Sequence, residues 1–485
     1  MFSENNISIY DFVCALSEAV DLVSPAMHRH HKKVTYIAYR IAREMKLQNG
    51  ELQDIILASM LHDIGAFSNE EREKILTLDS SDSTMDRHAL LGYKLLKGFA
   101  PLAKVAALIK HHHENYSNAR RGIPMGGHII HLADRITVML DERREVLQQV
   151  PEVRAKIAQS RNRFHPKTLA AFSRLAHLES FWIEALAPPI DVMTSKRVRF
   201  SKEIIDLGTL RKFTKIFAHL IDFRCRFTAT HSSGVAAVAL ELAIIDGFSA
   251  RECQLMEIAG FLHDLGKLTV PSAILEKNGS LEAAEVHCMR KHTYYTHAIL
   301  SKINGLEHIA AWAAYHHERQ DGNGYPFHVK GEDFSKLARI MAVADVVTAL
   351  TEDRPYRLGM EKEKAAKTLL AMVASGGLDK NIVDLVNRHF HRVNEARIKA
   401  QLEAQKEYEA FYVAVSGVER RKNERSRREA PAADPADNRR QRHGRDLSRA
   451  NGPILRRFPA NNKPEAVALA CYPAARRRTQ KPRVY

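Results

Sequence analysis

The chain has no run of about 18 uncharged apolar residues, so no transmembrane helix is expected. Its start, MFSENNISIYDF, lacks a basic stretch followed by an apolar one, and no signal peptide is expected. Cysteine is scarce: Cys14, Cys225, Cys253, Cys288 and Cys471 are scattered, with no CxxC pair. That spacing argues against a disulfide framework or a cysteine-bound zinc, and it suits a reducing, cytoplasmic setting. Alternating apolar and polar runs of strand type are almost absent, which leaves little material for sheet.

Charge of one sign is also missing from most of the chain. The formal net charge is +16 over 485 residues. Residues 419–485 carry 19 Lys/Arg against 7 Asp/Glu, so +12 resides in that tail and only +4 in the other 418 residues. The tail, as in RRKNERSRREAPAADPADNRRQRHGRD, has no sustained periodicity. Such a segment cannot bury enough apolar surface to offset its ordering entropy, and a disordered basic tail is expected. It is read as a solvated extension; contact with nucleic acid or an anionic lipid surface through charge alone is the alternative.

What is present is helical pattern. Val34, Ile37, Ala38, Ile41 and Met45 make an apolar stripe of 3.6-residue period, and so do Val235, Val238, Ala239, Leu242 and Ile245. The expected fold class is all-α. The chain also repeats itself. His30-x-x-x-Val34 recurs as His231-x-x-x-Val235, and MLHDIG at 60–65 as FLHDLG at 261–266, both offset by 201. His88 matches His292 and HHE at 112–114 matches HHE at 316–318, offset by 204; LAD at 132–134 matches VAD at 343–345, offset by 211. Two copies of one helical domain follow, at 1–190 and 205–395, joined by a linker at 191–204. The jump after HHE gives the second copy a longer loop. A helical extension is expected at 396–418, before the tail at 419–485.

The matched positions are chemically of one kind. In the second copy they are His231, His263, Asp264, His292, His316, His317 and Asp345. Imidazole with carboxylate suits iron, manganese or zinc. Adjacent helix residues point about 100° apart, so an adjacent His-Asp pair converges only on something beside a helix end. Gly266 is expected to mark that end. Asp264 can bridge two ions about 3.5–4 Å apart, a spacing that clamps the attacking and leaving oxygens of phosphate displacement.

The string HDLGKLTVPSAILEKNGSL at 263–281, then Glu285 and His292, HHERQDGNGYP at 316–326, ARIMAVADVVTAL at 338–350 and RPYR at 354–357 resembles the bacterial HD-GYP family, a branch of the HD phosphohydrolases. The resemblance covers about 190 residues, and the first copy resembles a plain HD domain. It implies a phosphodiesterase of cyclic dinucleotides, with the seven side chains above as ligands of two divalent ions, iron or manganese. Lys267 would hold a non-bridging phosphate oxygen, the place where a cation stabilises developing charge. Tyr325 and Pro326 would line the nucleotide pocket, with Gly322 and Gly324 letting the backbone turn. Arg354 and Arg357 would contact phosphate or guanine edges; the alternative for both is a surface ion pair. Two departures stand out. Phe227 occupies a place where some relatives carry a Glu for a third metal, so two ions are expected. Thr348 replaces a common Asp, which bears on substrate preference.

The substrate expected is cyclic di-GMP, opened to pGpG or GMP, with 3′,3′-cGAMP as the alternative. A catalytically quiet module that senses cyclic dinucleotides is the reading outside enzymology. The first copy keeps His30, His62, Asp63, His88, His112, His113 and Asp134, and Arg143 stands at the place of Arg354. Ala66 replaces the lysine, and NYSNARRGIPMGG replaces the GYP loop. A metal-binding first domain with poor turnover, acting by sensing or packing, is therefore expected; a second working phosphodiesterase is its alternative.

Overall fold

The computed structural model describes residues 7–429, apart from 22–28, 67–81, 119–121, 189–197, 199, 201–204, 225–229, 278, 331–332 and 355–356. Phe227, most of the linker at 191–204 and the tail from 430 onward lie outside the described residues. Among the described residues there is no strand, only one isolated bridge between Arg354 and Arg357.

The first copy comprises α1 (Ile9–Asp21), α2 (His30–Glu44), α3 (Asn49–Leu61), α4 (Asp82–Leu96), α5 (Ala103–Lys110), α6 (Met125–Met139), α7 (Val146–Gln159), α8 (Pro166–Leu175) and α9 (Glu179–Leu186). The second comprises α10 (Leu207–Arg224), α11 (His231–Ile245), α12 (Ala250–Leu262), α13 (Ser272–Leu275), α14 (Ala283–Leu300), α15 (Glu307–Ala314), α16 (Lys336–Thr351), α17 (Lys362–Ala374), α18 (Lys380–Arg388) and α19 (Phe390–Glu429). The order α1–α6 recurs in α10–α12 and α14–α16. Local chemistry recurs too. Glu252 closes a capping box on Ser249 at the start of α12, and Glu51 accepts the Gln48 N–H at the start of α3.

The predicted stripes point inward: Val34, Ile37, Ala38 and Ile41, and Val235, Val238, Ala239 and Leu242, are fully buried. One apolar core runs through both copies. Where they meet, Phe12 of α1 packs on Phe213 and Phe217 of α10 with ring centroids 5.0 Å away in each case. Phe99, after α4, stacks on Phe213 at 4.7 Å. Each such aromatic pair adds about 0.5–1.5 kcal/mol beyond its buried area. Thus α1 also packs on α14 and on the turn of 3₁₀ helix at Leu265–Thr269, and Glu18 joins Lys32 of α2 to Lys302 beyond α14.

The C-terminal boundary differs from expectation. A single helix, α19, begins inside the second copy and continues to Glu429, so residues 419–429, read from sequence as tail, are helical. Arg, Lys and Glu have high intrinsic helix propensity, which lets a charged segment extend a helix already nucleated by packing.

Candidate metal centre

Three helix ends and two helix interiors build the centre of the second copy. His231 is the first residue of α11, and His263 and Asp264 follow the last turn of α12. His292 lies within α14; His316 and His317 form a 3₁₀ turn after α15; Asp345 lies within α16. All seven are buried. His231, His263 and Asp264 present ligand atoms within 4.8 Å of one another, and so do His292, His316 and His317. Asp264 joins the groups: Oδ2 is 3.1 Å from His263 Nε2 and Oδ1 is 3.4 Å from His292 Nε2. Asp345 Oδ1 is 3.1 Å from His231 Nε2, and Oδ2 is 4.0 Å from His317 Nδ1.

Hydrogen bonding tests whether this set fits a cation. The Nδ1 atoms of His263, His292 and His316 lie 2.8, 2.7 and 2.7 Å from the main-chain oxygens of Gly260, Met289 and Ala313. A carbonyl only accepts, so each Nδ1 carries the proton and each Nε2 is left with a lone pair facing inward. Two of these nitrogens, Nε2 of His292 and of His316, lie 3.2 Å apart. Burial lowers the His292 imidazole to about 4 and that of His316 well below its ordinary value, so both are neutral at pH 7. Neutral nitrogens with facing lone pairs cannot bond one another; a shared cation resolves the arrangement. Burial alone would lower His231, but without a bound cation Glu352 and Asp345 outweigh it and raise the imidazole to about 10; a cation on Nε2 would replace that proton.

Gly266 acts otherwise than expected. The helix ends at Leu262, ahead of the His-Asp pair, and Gly266 serves close packing instead: a Cβ there would sit 1.8 Å from the His292 carbonyl oxygen. A Cβ on Gly65 would likewise sit 2.1 Å from the His88 carbonyl oxygen.

The first copy assembles its own set. His30, His62 and Asp134 form one group and Asp63, His88, His112 and His113 another, all buried. His62 and His112 again direct Nδ1 at main-chain oxygens, of Ser59 and Ile109. His31, beside His30, also reaches this centre and is held 2.5 Å from Asp21 Oδ1. Arg135, fully buried, donates to Asp134 Oδ2 at 2.6 Å, where the second copy has Val346.

Two family models, each described as an HD domain, match residues 27–139 and 215–382. The chain is a tandem HD-domain protein. A relative in Vibrio cholerae named 3′3′-cGAMP-specific phosphodiesterase 1 is 28% identical, over 80% of this chain and 93% of its own. A cyclic di-GMP phosphodiesterase response regulator of Xanthomonas campestris is 36% identical over 32% of this chain and 41% of its own. A solved Vibrio cholerae cyclic GMP-AMP-specific phosphodiesterase superposes with a TM-score of 0.56 at 22% identity, covering 79% of this chain and 97% of that one, and so shares the fold.

Around the second HD domain's centre, Lys267 Nζ lies 2.5 Å from Asp264 Oδ2. Tyr325 packs on the ring of His317 at 5.0 Å, and Pro326 follows it. Gly322 takes φ +73°, whereas Gly324 lies against the Glu318 backbone, where a Cβ would come within 2.4 Å. Arg354 binds Glu352, and Arg357 donates to the Ala349 carbonyl at 2.6 Å, so both guanidiniums have protein partners. In the first HD domain, Arg143 binds Asp141 on the surface instead.

Several residues escaped the sequence reading. Glu318 Oε1 accepts the N–H groups of Phe327 and His328 at 2.7 and 3.1 Å and so pins the GYP loop. Arg290 stacks over Tyr325 at 4.8 Å. Asp222, at the end of α10, accepts from Ser232 Oγ at 2.8 Å, as Asp21 engages His31. The offset of 201, carried upstream, pairs Asp21 with Asp222 and Phe12 with Phe213, a signal that was available in the sequence.

Proposed function

We propose that the second HD domain is a metal-dependent phosphodiesterase that hydrolyses one phosphodiester bond of a cyclic dinucleotide containing guanine. The observation that carries this is the pair of three-residue ligand groups bridged by Asp264, with Lys267 at its edge. Two divalent ions, iron or manganese, fit His231, His263, His292, His316, His317, Asp264 and Asp345; when bound they supply Lewis-acid charge for phosphoryl displacement. Lys267 leaves Asp264 to hold a non-bridging oxygen, and Tyr325, Pro326, Arg354 and Arg357 orient the dinucleotide. Cyclic di-GMP is one substrate on this reading. A second, 3′,3′-cGAMP, is favoured by a specific observation: of three relatives named for it, two match 80% and 75% of the chain, whereas the cyclic di-GMP regulator matches about a third.

Turnover of the full chain against cyclic di-GMP, 3′,3′-cGAMP and linear dinucleotides tests the reading. Faster turnover of a cyclic dinucleotide is expected; preference for linear substrates would end the assignment. The first HD domain, on this proposal, binds metal but turns over cyclic dinucleotides poorly. Ala66 supplies no cation, and Arg135 already occupies an oxygen of Asp134. Its α1 packs on the elements that carry His292 and Lys267, which supports a packing role.

A further inference from the structure

Glu352 follows the last turn of α16, is 4% exposed, and has both carboxylate oxygens 3.1 Å from Nδ1 of His231. A carboxylate only accepts, so Nδ1 donates to Glu352, while Nε2, 3.1 Å from Asp345, faces the metal centre, where a bound cation would take the place of its proton. Two other groups fix the same carboxylate. Arg354 donates to Oε1 through Nε and Nη2 at 3.0 and 2.7 Å, and Gln401 of α19 donates to Oε2 at 3.0 Å. Arg397, one turn earlier on α19, donates in turn to Gln401 Oε1.

The surrounding sequence makes room for this contact. Gly234 of α11 lies where a Cβ would come within 2.9 Å of the Gln401 amide nitrogen. Its counterpart in the first HD domain is Lys33, buried and paired with Glu142, which leaves no such approach. The counterpart of Glu352 is Asp141, which binds Arg143. Thr348 turns its hydroxyl to the Ala344 carbonyl at 2.8 Å, and Glu352, one helical turn on, supplies the carboxylate that faces His231.

We propose that Glu352 is the positioning residue of His231, and that α19 completes the centre by holding Glu352 through Gln401. This rests on the metal-dependent reading above. The helix after the second HD domain is then part of the working site.

The test uses the full chain, stripped by chelator and titrated with Mn²⁺ against a competing indicator, with kinetics at saturating Mn²⁺. Glu352→Ala should weaken Mn²⁺ binding about 10- to 100-fold, the usual cost of losing a ligand's outer partner. Glu352→Gln, which keeps an acceptor for Nδ1, should recover most of that affinity. Gln401→Ala should weaken binding less than Glu352→Ala, and kcat should fall in all three with KM little changed. Wild-type Mn²⁺ affinity in both Glu352→Ala and Gln401→Ala would overturn the inference alone. If Glu352→Ala does not fold, Gln401→Ala decides. Failure of the wild type to bind Mn²⁺ would overturn the metal-dependent reading with it.

Discussion

Lys267 and Gly266 stand side by side, yet their substitutions should fail in different ways. Lys267 Nζ pairs with Asp264, and on the proposed function it turns to a phosphate oxygen of the substrate. A group that meets charge developing in the transition state mainly affects kcat, so Lys267→Ala should lower kcat more than it raises KM. A dominant KM effect in steady-state kinetics would contradict that role. Gly266→Ala instead drives a Cβ into the His292 carbonyl oxygen, backbone against backbone. It should destabilise the fold by about 3 kcal/mol, the upper end for overpacking, and a denaturant melt unchanged from wild type would refute this. The seven ligand candidates were legible because repetition and residue type coincide. Glu352 and Arg135 were not, since a carboxylate beyond a helix end and an arginine inside one have no distinguishing sequence signal. Their roles come from what folding places beside them.

At the scale of the element, α19 shows how far pattern reading extends. The sequence predicts a helical extension at 396–418 but not its docking: the contacts reach across from Gln401 to Glu352 and from Glu407 to α10. Glu407 lies 2.7 Å from Lys215 and 3.2 Å from His219, and the bond from His219, with that from Lys215, lowers its carboxyl to about 2 against opposing burial. A carboxyl with a depressed folded-state pKa stabilises fully above its ordinary value of 4.5 and loses that contribution as pH falls toward 2. Wild type should therefore exceed Glu407→Gln in thermal stability at pH 6, by a small margin because the pair is half exposed, and the gap should close by pH 2. A gap that widens on acidification would be the wrong sign. The repeated caps at Ser249 and Gln48 show the other side: local hydrogen bonds, unlike docking, follow directly from sequence.

Across the whole molecule, two HD domains of similar build share one core, with the rings of Phe12, Phe99, Phe213 and Phe217 clustered where they meet. The repeat made two domains legible in advance. Their mutual packing was not, because the apolar stripe of a helix does not say which core it enters. The proposed division of labour rests on the sites: both have imidazoles and carboxylates, but only the second adds Lys267 and the GYP loop. Turnover of a cyclic dinucleotide by full-length Asp264→Ala and Asp63→Ala, each checked for folding, tests this most directly. The account predicts no turnover by Asp264→Ala and substantial turnover by Asp63→Ala; hydrolysis that survives in Asp264→Ala would contradict it.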